Sequence, residues 1–460
     1  MTATAIDSAG SMAALGARIV VAGVASGVGK TTVATGLMAA LRARGLAVAN
    51  AKVGPDFIDP GYHALATGRP PRNLDPWLSG PDAIADLAGR AAHGADVLVV
   101  EGVMGMFDGA DDGSPSSTAD VAALIEAPVV LVVDVAAMSS SIAAVVRGFR
   151  DHDERLHLGG VICNRVGSER HEFLLREALE PLGVPVLGCM PRDDGLTWRD
   201  RHLGLVPVAE RPDDVRRSLD RLSAMVAAHI DLDGVMQLAR SAPGVPVGGP
   251  ELPGAVGRCR IAVAAGAAFT FAYTDNLEAM AVAGAEVVPF DPLHDASLPV
   301  DVDAMFIGGG FPEVFGEQLA ANEPLRADVN RRVGAGLATW AECGGLLWLA
   351  GELDGRRMVG AVPTTATLGR RLTLGYRTAT TTVDSVVGRA GTTFRGHEFH
   401  YSTCAPTGDA LWISSRQGSG GGFASPTLLA SYVHHHAGGD PSLVEAFVAA
   451  AVRSRCPSSP

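Results

Sequence analysis

Lysine is almost missing from this 460-residue chain: among 37 basic residues only Lys30 and Lys52 are lysines, and the rest are arginines. A composition rich in Ala, Gly, Val and Arg explains the scarcity, but not where the two survivors stand. Long apolar runs are missing too. The longest, such as Pro128–Val135, fall well short of the ~20 residues a membrane-spanning helix needs. The first 16 residues are small and polar, with no basic residue before Arg18, so no signal peptide is expected. Paired cysteines are absent. The six present (163, 189, 259, 343, 404, 456) are scattered, which implies reduced thiols and a cytoplasmic location rather than a disulfide framework or zinc site. There is no basic excess either: a net charge of −13 argues against a nucleic-acid-binding face. A locally basic site for an anionic small molecule remains compatible with it.

With 47% hydrophobic and 19% charged residues, the chain has the apolar surface a folded protein buries. Its length, at about 150 residues per domain, predicts two or three domains. Short β-branched runs (18–22, 47–52, 96–101, 129–134, 159–164 and 186–188) alternate with helical stretches such as 32–44 and 169–182. That alternation predicts an α/β fold with a doubly wound parallel sheet. One helix is expected over 207–237. The Pro/Gly-dense stretch 241–257 reads as a linker, dividing a first domain (17–240) from a second (258–455). The second repeats the alternation with strands near 260–264, 286–288, 304–307 and 338–341, followed by antiparallel strands over 371–402. Strand 428–433 and a helix near 442–453 end it.

The first strand runs into Gly23-Val-Ala-Ser26-Gly27-Val-Gly29-Lys30-Thr31-Thr32, and a helix follows. Glycines let backbone N–H groups turn toward phosphate oxygens, and the helix N-terminus adds its positive end. Lys30 would reach the β- and γ-phosphates, and the Thr31 hydroxyl would ligate Mg²⁺. Val24 stands where the usual pattern has its first glycine, which comes one residue early. Glu101, ending a buried strand, is the expected second metal-binding residue on the sheet's ligand edge. Lys52 opens the loop Lys52-Val-Gly-Pro-Asp56-Phe-Ile-Asp59-Pro-Gly-Tyr-His63, where Asp56 and Asp59 would hold metal or orient an acceptor carboxylate. Asp-Pro turns also occur without any such role.

Strand 338–341 leads into Glu342-Cys343-Gly344-Gly345 and an apolar helix, the elbow arrangement of a nucleophile poised for acyl transfer. The helix N-terminus is expected to lower the thiol pKa, and the Gly344 N–H to face an oxyanion. The turn Gly308-Gly309-Gly310 is suited to supply a second oxyanion donor. His434, first of three histidines after strand 428–433, is the expected base. The cluster His397–His400 is the alternative, and the triple histidine itself also reads as a surface patch or weak metal site.

As a set, the segments KVGPDFIDPGYH, RNLDPWL, EGVMGMFDG, RHLGLVP, GGGFPE, AECGG and GHEFHYS resemble the cobyrinic or hydrogenobyrinic acid a,c-diamide synthases of corrin biosynthesis over nearly the whole chain. The N-terminal half is similar to dethiobiotin synthetase, whose phosphate loop also has its glycine one place early. The resemblance implies a P-loop domain that binds ATP through Ser26, Gly27, Gly29, Lys30, Thr31, Thr32 and Asn164, followed by a flavodoxin-like class I glutamine amidotransferase domain. It implies that Cys343 attacks glutamine, and that ATP with Mg²⁺ phosphorylates a corrin carboxylate which the released ammonia then converts to an amide. Arg72, Arg199 and Arg201 could pair with other carboxylates of the corrin, although for any one of them a place on solvated surface is the more ordinary role. The usual third member of the Cys-His-Glu triad is missing from this branch, and here the residue two after His434 is His436. Cobyric acid synthase and a partitioning-type ATPase switch are the rival readings. No nucleic acid or membrane partner is expected, and a homodimer stays open.

Overall fold

The computed structural model describes residues 13–193, 200–201, 204–205, 208, 212–248, 252–414 and 419–455. Of the three arginines expected at the substrate, Arg199 lies outside them, and only the backbone of Arg201 is described.

The first unit is built on a seven-stranded sheet in the order Asn73–Leu74, Val48–Val53, Val97–Glu101, Arg18–Gly23, Val129–Asp134, Leu158–Val166, Val186–Pro191. Every neighbouring pair is parallel. Period-2 alternation sorts the strand residues between two apolar layers. Val20 and Ala22 pack with helices Ile84–Ala92, Thr118–Leu124, Ile142–Asp151 and Glu169–Leu179. Ile19 and Val21 pack with helices Lys30–Ala43, Pro212–His229 and Leu232–Arg240. Arg18–Gly23 is central and opens the chain's passage through the sheet. The loop after it therefore lies at the C-terminal edge, where such sheets bind ligands.

Two expectations change. The helix expected over 207–237 is two helices among the described residues, because Asp231 ends one and caps the next by accepting from Gly234 N–H at 2.9 Å. Part of the stretch read as a linker is paired. Val245–Val247 pairs antiparallel with Ala13–Leu15, satisfying backbone groups that a free linker would leave to water. The fully buried Arg18 guanidinium donates to the carbonyls of Leu15, Gly16, Ile125, Glu126 and Pro243.

The second unit has a six-stranded sheet in the order Ala285–Phe290, Cys259–Ala264, Ala304–Ile307, Ala338–Glu342, Leu428–Ser431, Phe423–Ser425. It is parallel except at the last pair. A second, mostly antiparallel sheet pairs Thr365–Thr381 with Thr393–Ala405. After Leu428–Ser431 the chain crosses into it, so that His434 and His435 pair with His397 and Gly396. Among the described residues no helix is long and apolar enough to cross a membrane.

Candidate active sites and the loop between them

The phosphate loop keeps its helix start open. Gly29 precedes Lys30–Ala43 with φ +94° and offers no capping side chain, leaving the first N–H groups for an anion. A Cβ at Gly29 would lie 2.2 Å from the Asn164 amide, which donates to the Val28 carbonyl at 2.9 Å. Asn164 thus buttresses the loop from the neighbouring strand. The loop opens into a cleft of about 750 Å³. Its walls include all seven expected ATP-binding residues together with Lys52, Asp56, Asp59 and Glu101.

Inside the cleft the two lysines are held differently. Lys30 donates to the carbonyls of Ala25 (2.9 Å) and Met104 (2.5 Å), and among the described residues meets no carboxylate at hydrogen-bond range. Burial, helped by the charge of Lys52, lowers its pKa to about 8. Lys52 is buried between Asp59 and Glu101, each at 2.7 Å, with Asp56 at 4.0 Å. Burial opposes its charge, but Asp59 and Glu101 overcome this and push its pKa up. Glu101 is in turn pulled down, against burial, by Lys52 and His63. Burial and the neighbouring Asp59 raise Asp56 to about 8.

The Thr31 hydroxyl lies 2.6 Å from Glu101 and 3.2 Å from Asp59. Asp59, expected to hold metal or orient the acceptor carboxylate, lies in the same oxygen cluster as Thr31 and Glu101. These hard oxygen donors suit magnesium. Among the described residues no three His, Cys, Asp or Glu side chains are grouped to hold a metal alone. His63 was not singled out as a site residue. Its Nε2 lies 2.5 Å from Glu101 Oε2, inside the core. Its spacing of four from Asp59 on one helix was the available signal.

In the second unit Cys343 has φ +46° and ψ −100°, the strained backbone of a nucleophile elbow. Its N–H donates to Ser431 O at 2.7 Å, which sets the elbow beside the strand leading to His434. Glycines make close approach feasible. A Cβ on Gly344 would sit 2.9 Å from Gly310 N, and one on Gly309 would sit 2.5 Å from His434 Cε1. Gly309, Gly310, Gly344 and His434 are thereby brought to the elbow. The expected lowering of the thiol pKa does not occur: burial, with the charge of Glu313 adding, pushes Cys343 up and outweighs the Gly344 N–H.

The three histidines are all buried, not a surface patch, and they diverge. His436 points away from the elbow, toward Ser79 Oγ (3.0 Å) and Asp275 (3.7 Å). His435 Nδ1 faces the carbonyl of Arg395. His400 lines the small pocket at Cys343, with Nδ1 on Ser402 O and its ring stacked on Tyr432 at 3.7 Å. Burial lowers it to about 4, leaving it neutral and a weaker base than ordinary histidine.

The segment after Lys52 links the two sites. Phe57, between Asp56 and Asp59, stacks on Phe271 (5.2 Å) and Tyr273 (4.3 Å), and its ring lies 4.9 Å from that of His434. Tyr273 donates to the Pro55 carbonyl at 3.0 Å. The segment Arg72–Leu78 supplies a second clasp. Arg72 is not free for substrate, because it is buried against Asp275 (2.5 Å) and Glu278 (2.7 Å) of the second unit. Trp77 stacks on Tyr376 at 4.5 Å, and Tyr376 donates to Asp75 at 2.9 Å.

Comparison with known proteins places this architecture. Residues 19–206 match the CobQ/CobB/MinD/ParA nucleotide binding domain family, and residues 260–442 the CobB/CobQ-like glutamine amidotransferase domain family. The chain is 47% identical to "Hydrogenobyrinate a,c-diamide synthase" of Streptomyces coelicolor, covering 94% of this chain and 96% of that one. It is 46% identical to the Mycobacterium tuberculosis protein of the same name (94% and 97% covered). Identity is 42% to "Cobyrinate a,c-diamide synthase" of Syntrophotalea carbinolica (94% and 98% covered). A phosphate loop, a thiol elbow and near-full-length relatives of one kind agree: the chain belongs to the hydrogenobyrinate and cobyrinate a,c-diamide synthase family.

Proposed function

We propose that the protein uses ATP and glutamine to amidate the a and c side-chain carboxylates of hydrogenobyrinic acid or cobyrinic acid, in the cytoplasm. The observation that carries this reading is the loop 52–59. Asp59 at one end touches Thr31 of the phosphate loop, while Phe57 stacks against His434 of the glutaminase elbow. On this reading a site that activates a carboxylate and a site that liberates ammonia share one short segment.

In the second unit the Cys343 thiol gives its proton to His434 and its sulfur attacks the glutamine amide carbon. The oxyanion is held by N–H groups of Gly344 and the Gly309–Gly310 turn. Ammonia leaves with that proton, and water releases glutamate from the thioester. In the first unit a corrin carboxylate oxygen attacks the γ-phosphorus of ATP, and ADP departs. Ammonia then attacks the acyl carbon and phosphate leaves. Lys30 pairs with the phosphates. Lys52, kept protonated by Asp59 and Glu101, stands beside the acceptor carboxylate and attracts it, a positioning effect. Thr31 and Glu101, with Asp59 beside them, would hold Mg²⁺, whose charge offsets that on the β- and γ-phosphates.

The test is to supply each corrin acid with ATP and glutamine and follow the product by mass. Conversion of two carboxylates to amides supports the proposal. An unchanged corrin in the presence of active glutaminase would reject it.

A further inference from the structure

The position that usually carries the triad acid is occupied by His436, whose ring faces Ser79 and Asp275 and cannot serve His434. Yet His434 is 1% exposed, and among the described residues its Nδ1 has no hydrogen-bond partner. The group facing that nitrogen is Glu342 Oε2 at 3.5 Å. Glu342 ends the strand Ala338–Glu342 and immediately precedes the nucleophile. It is 1% exposed, and its other oxygen accepts the His435 N–H at 3.1 Å. A buried carboxylate needs a polar partner, and among the described residues the one basic side chain within 4.0 Å of it is His434. The remaining surroundings do not compete. His397, opposite His434 across the strand pair, is lowered by burial to about 3 and is neutral. His400 is likewise neutral. Glu398 is occupied by Arg377 at 2.8 Å. Phe57 covers the His434 ring from the other unit.

We infer that Glu342 is the positioning carboxylate of the glutaminase site: it accepts the Nδ1 proton of His434 and stabilises the imidazolium that forms as Cys343 attacks. A 3.5 Å separation is too long for a good hydrogen bond. Such contacts tighten when the neighbouring reaction creates charge. The arrangement is compact. One strand end carries both the nucleophile and the acid, and the chain leaving the next parallel strand brings the base to that acid, so a triad acid two residues beyond the histidine is not needed. This assignment rests on Cys343 and His434 being the glutaminase pair.

The test is Glu342→Gln, which keeps the shape and the acceptor for the His435 N–H while removing the charge. Glutamine hydrolysis should fall on the order of 10²-fold in kcat, with KM for glutamine unchanged, while ammonium-dependent amidation persists and shows a folded enzyme. The acid limb of kcat/KM should move to lower pH, because losing a nearby negative charge lowers the histidine pKa. Full turnover, or an unmoved limb, would overturn the assignment. In a His434→Ala background Glu342→Gln should cost nothing further; an additional loss would show that Glu342 does not act through His434. Nitrogen-15 NMR of histidine-labelled wild type needs no variant. It should show His434 protonated at Nδ1 with a bare Nε2, and the opposite tautomer would refute the proposal. Glutaminase activity surviving Cys343→Ser would instead sink the underlying pair, a result that none of the Glu342 outcomes can mimic.

Discussion

Replacing Lys52 by Met should destabilise the first unit in a way whose pH dependence identifies the cause. The Lys52 ammonium is buried at 2.7 Å from both Asp59 and Glu101, and Glu101 is fully buried. Methionine fills much of the same space but leaves two carboxylates without their cation, with only His63 and the Thr31 hydroxyl, among the described residues, remaining on Glu101. Removing one partner of a buried ion pair costs about 3–5 kcal/mol. At about 2–4 °C per kcal/mol for a unit of this size, the transition should fall by about 6–20 °C near neutral pH. In the wild type the folded-state pKa of Glu101 is depressed. That contribution is present above the unfolded carboxylate value and is lost as pH falls through the lower folded value. In Lys52→Met the sign reverses. Burial without the cation raises Glu101, so the folded state takes up a proton and stability declines as pH rises above about 4. The gap between the two proteins should thus be wide at pH 7.5 and narrower at pH 5. Asp56 titrates in both proteins, so the wild-type comparison removes most of its share. Thermal unfolding of both at the two pH values, followed by far-UV circular dichroism, reads this directly. A penalty equal at both pH values, or none at all, would refute the electrostatic account of the cleft.

Three further outcomes follow from the same geometry. Phe57→Ala removes three ring contacts of about 0.5–1.5 kcal/mol each, so glutamate formed per amide made should rise several-fold; an unchanged ratio would mean the shared loop does not couple the sites. Because Lys30 titrates near pH 8 without nucleotide, ATP binding at pH 8.5 should take up a proton that binding at pH 6.5 does not. Calorimetry in buffers of different ionisation enthalpy measures this, and uptake that vanished in Asp56→Asn would reassign the proton to Asp56. His434→Ala should abolish glutamine hydrolysis with ammonium-dependent amidation kept, whereas His436→Ala should loosen the contact with Ser79 and Asp275 and leave hydrolysis largely intact. The reverse pattern would exchange their roles.

The sheet of the first unit was legible because its strands are buried on both faces and read as unbroken apolar runs between amphipathic helices. Its phosphate loop was legible because glycine, lysine and threonine at that spacing serve a backbone geometry few other residues permit. What lay hidden depended on partners distant in the chain. Arg72 reads equally as a ligand for an anionic substrate or as an ion-pair partner, and only folding brings it to Asp275, 203 residues away. The 241–257 stretch has linker composition, but Val245–Val247 pairs with residues more than 200 positions earlier. The thiol pKa misled for a related reason: helix position is visible in the sequence, whereas the burial of Cys343 and the charge of Glu313 are not. Glu342 escaped notice because no periodicity tells which of two adjacent strand-end residues faces a histidine 92 residues later.

The central claim is that ammonia released at Cys343 is consumed at the phosphate-loop site of the same chain. Amide-¹⁵N-labelled glutamine, supplied with ATP, the corrin acid and an excess of unlabelled ammonium at a pH where little of it is free ammonia, tests that claim most directly. Wild type should yield a diamide carrying two ¹⁵N atoms, and Cys343→Ser only unlabelled diamide, made slowly from ammonium. Unlabelled product from the wild type while glutamine is being consumed would contradict the account.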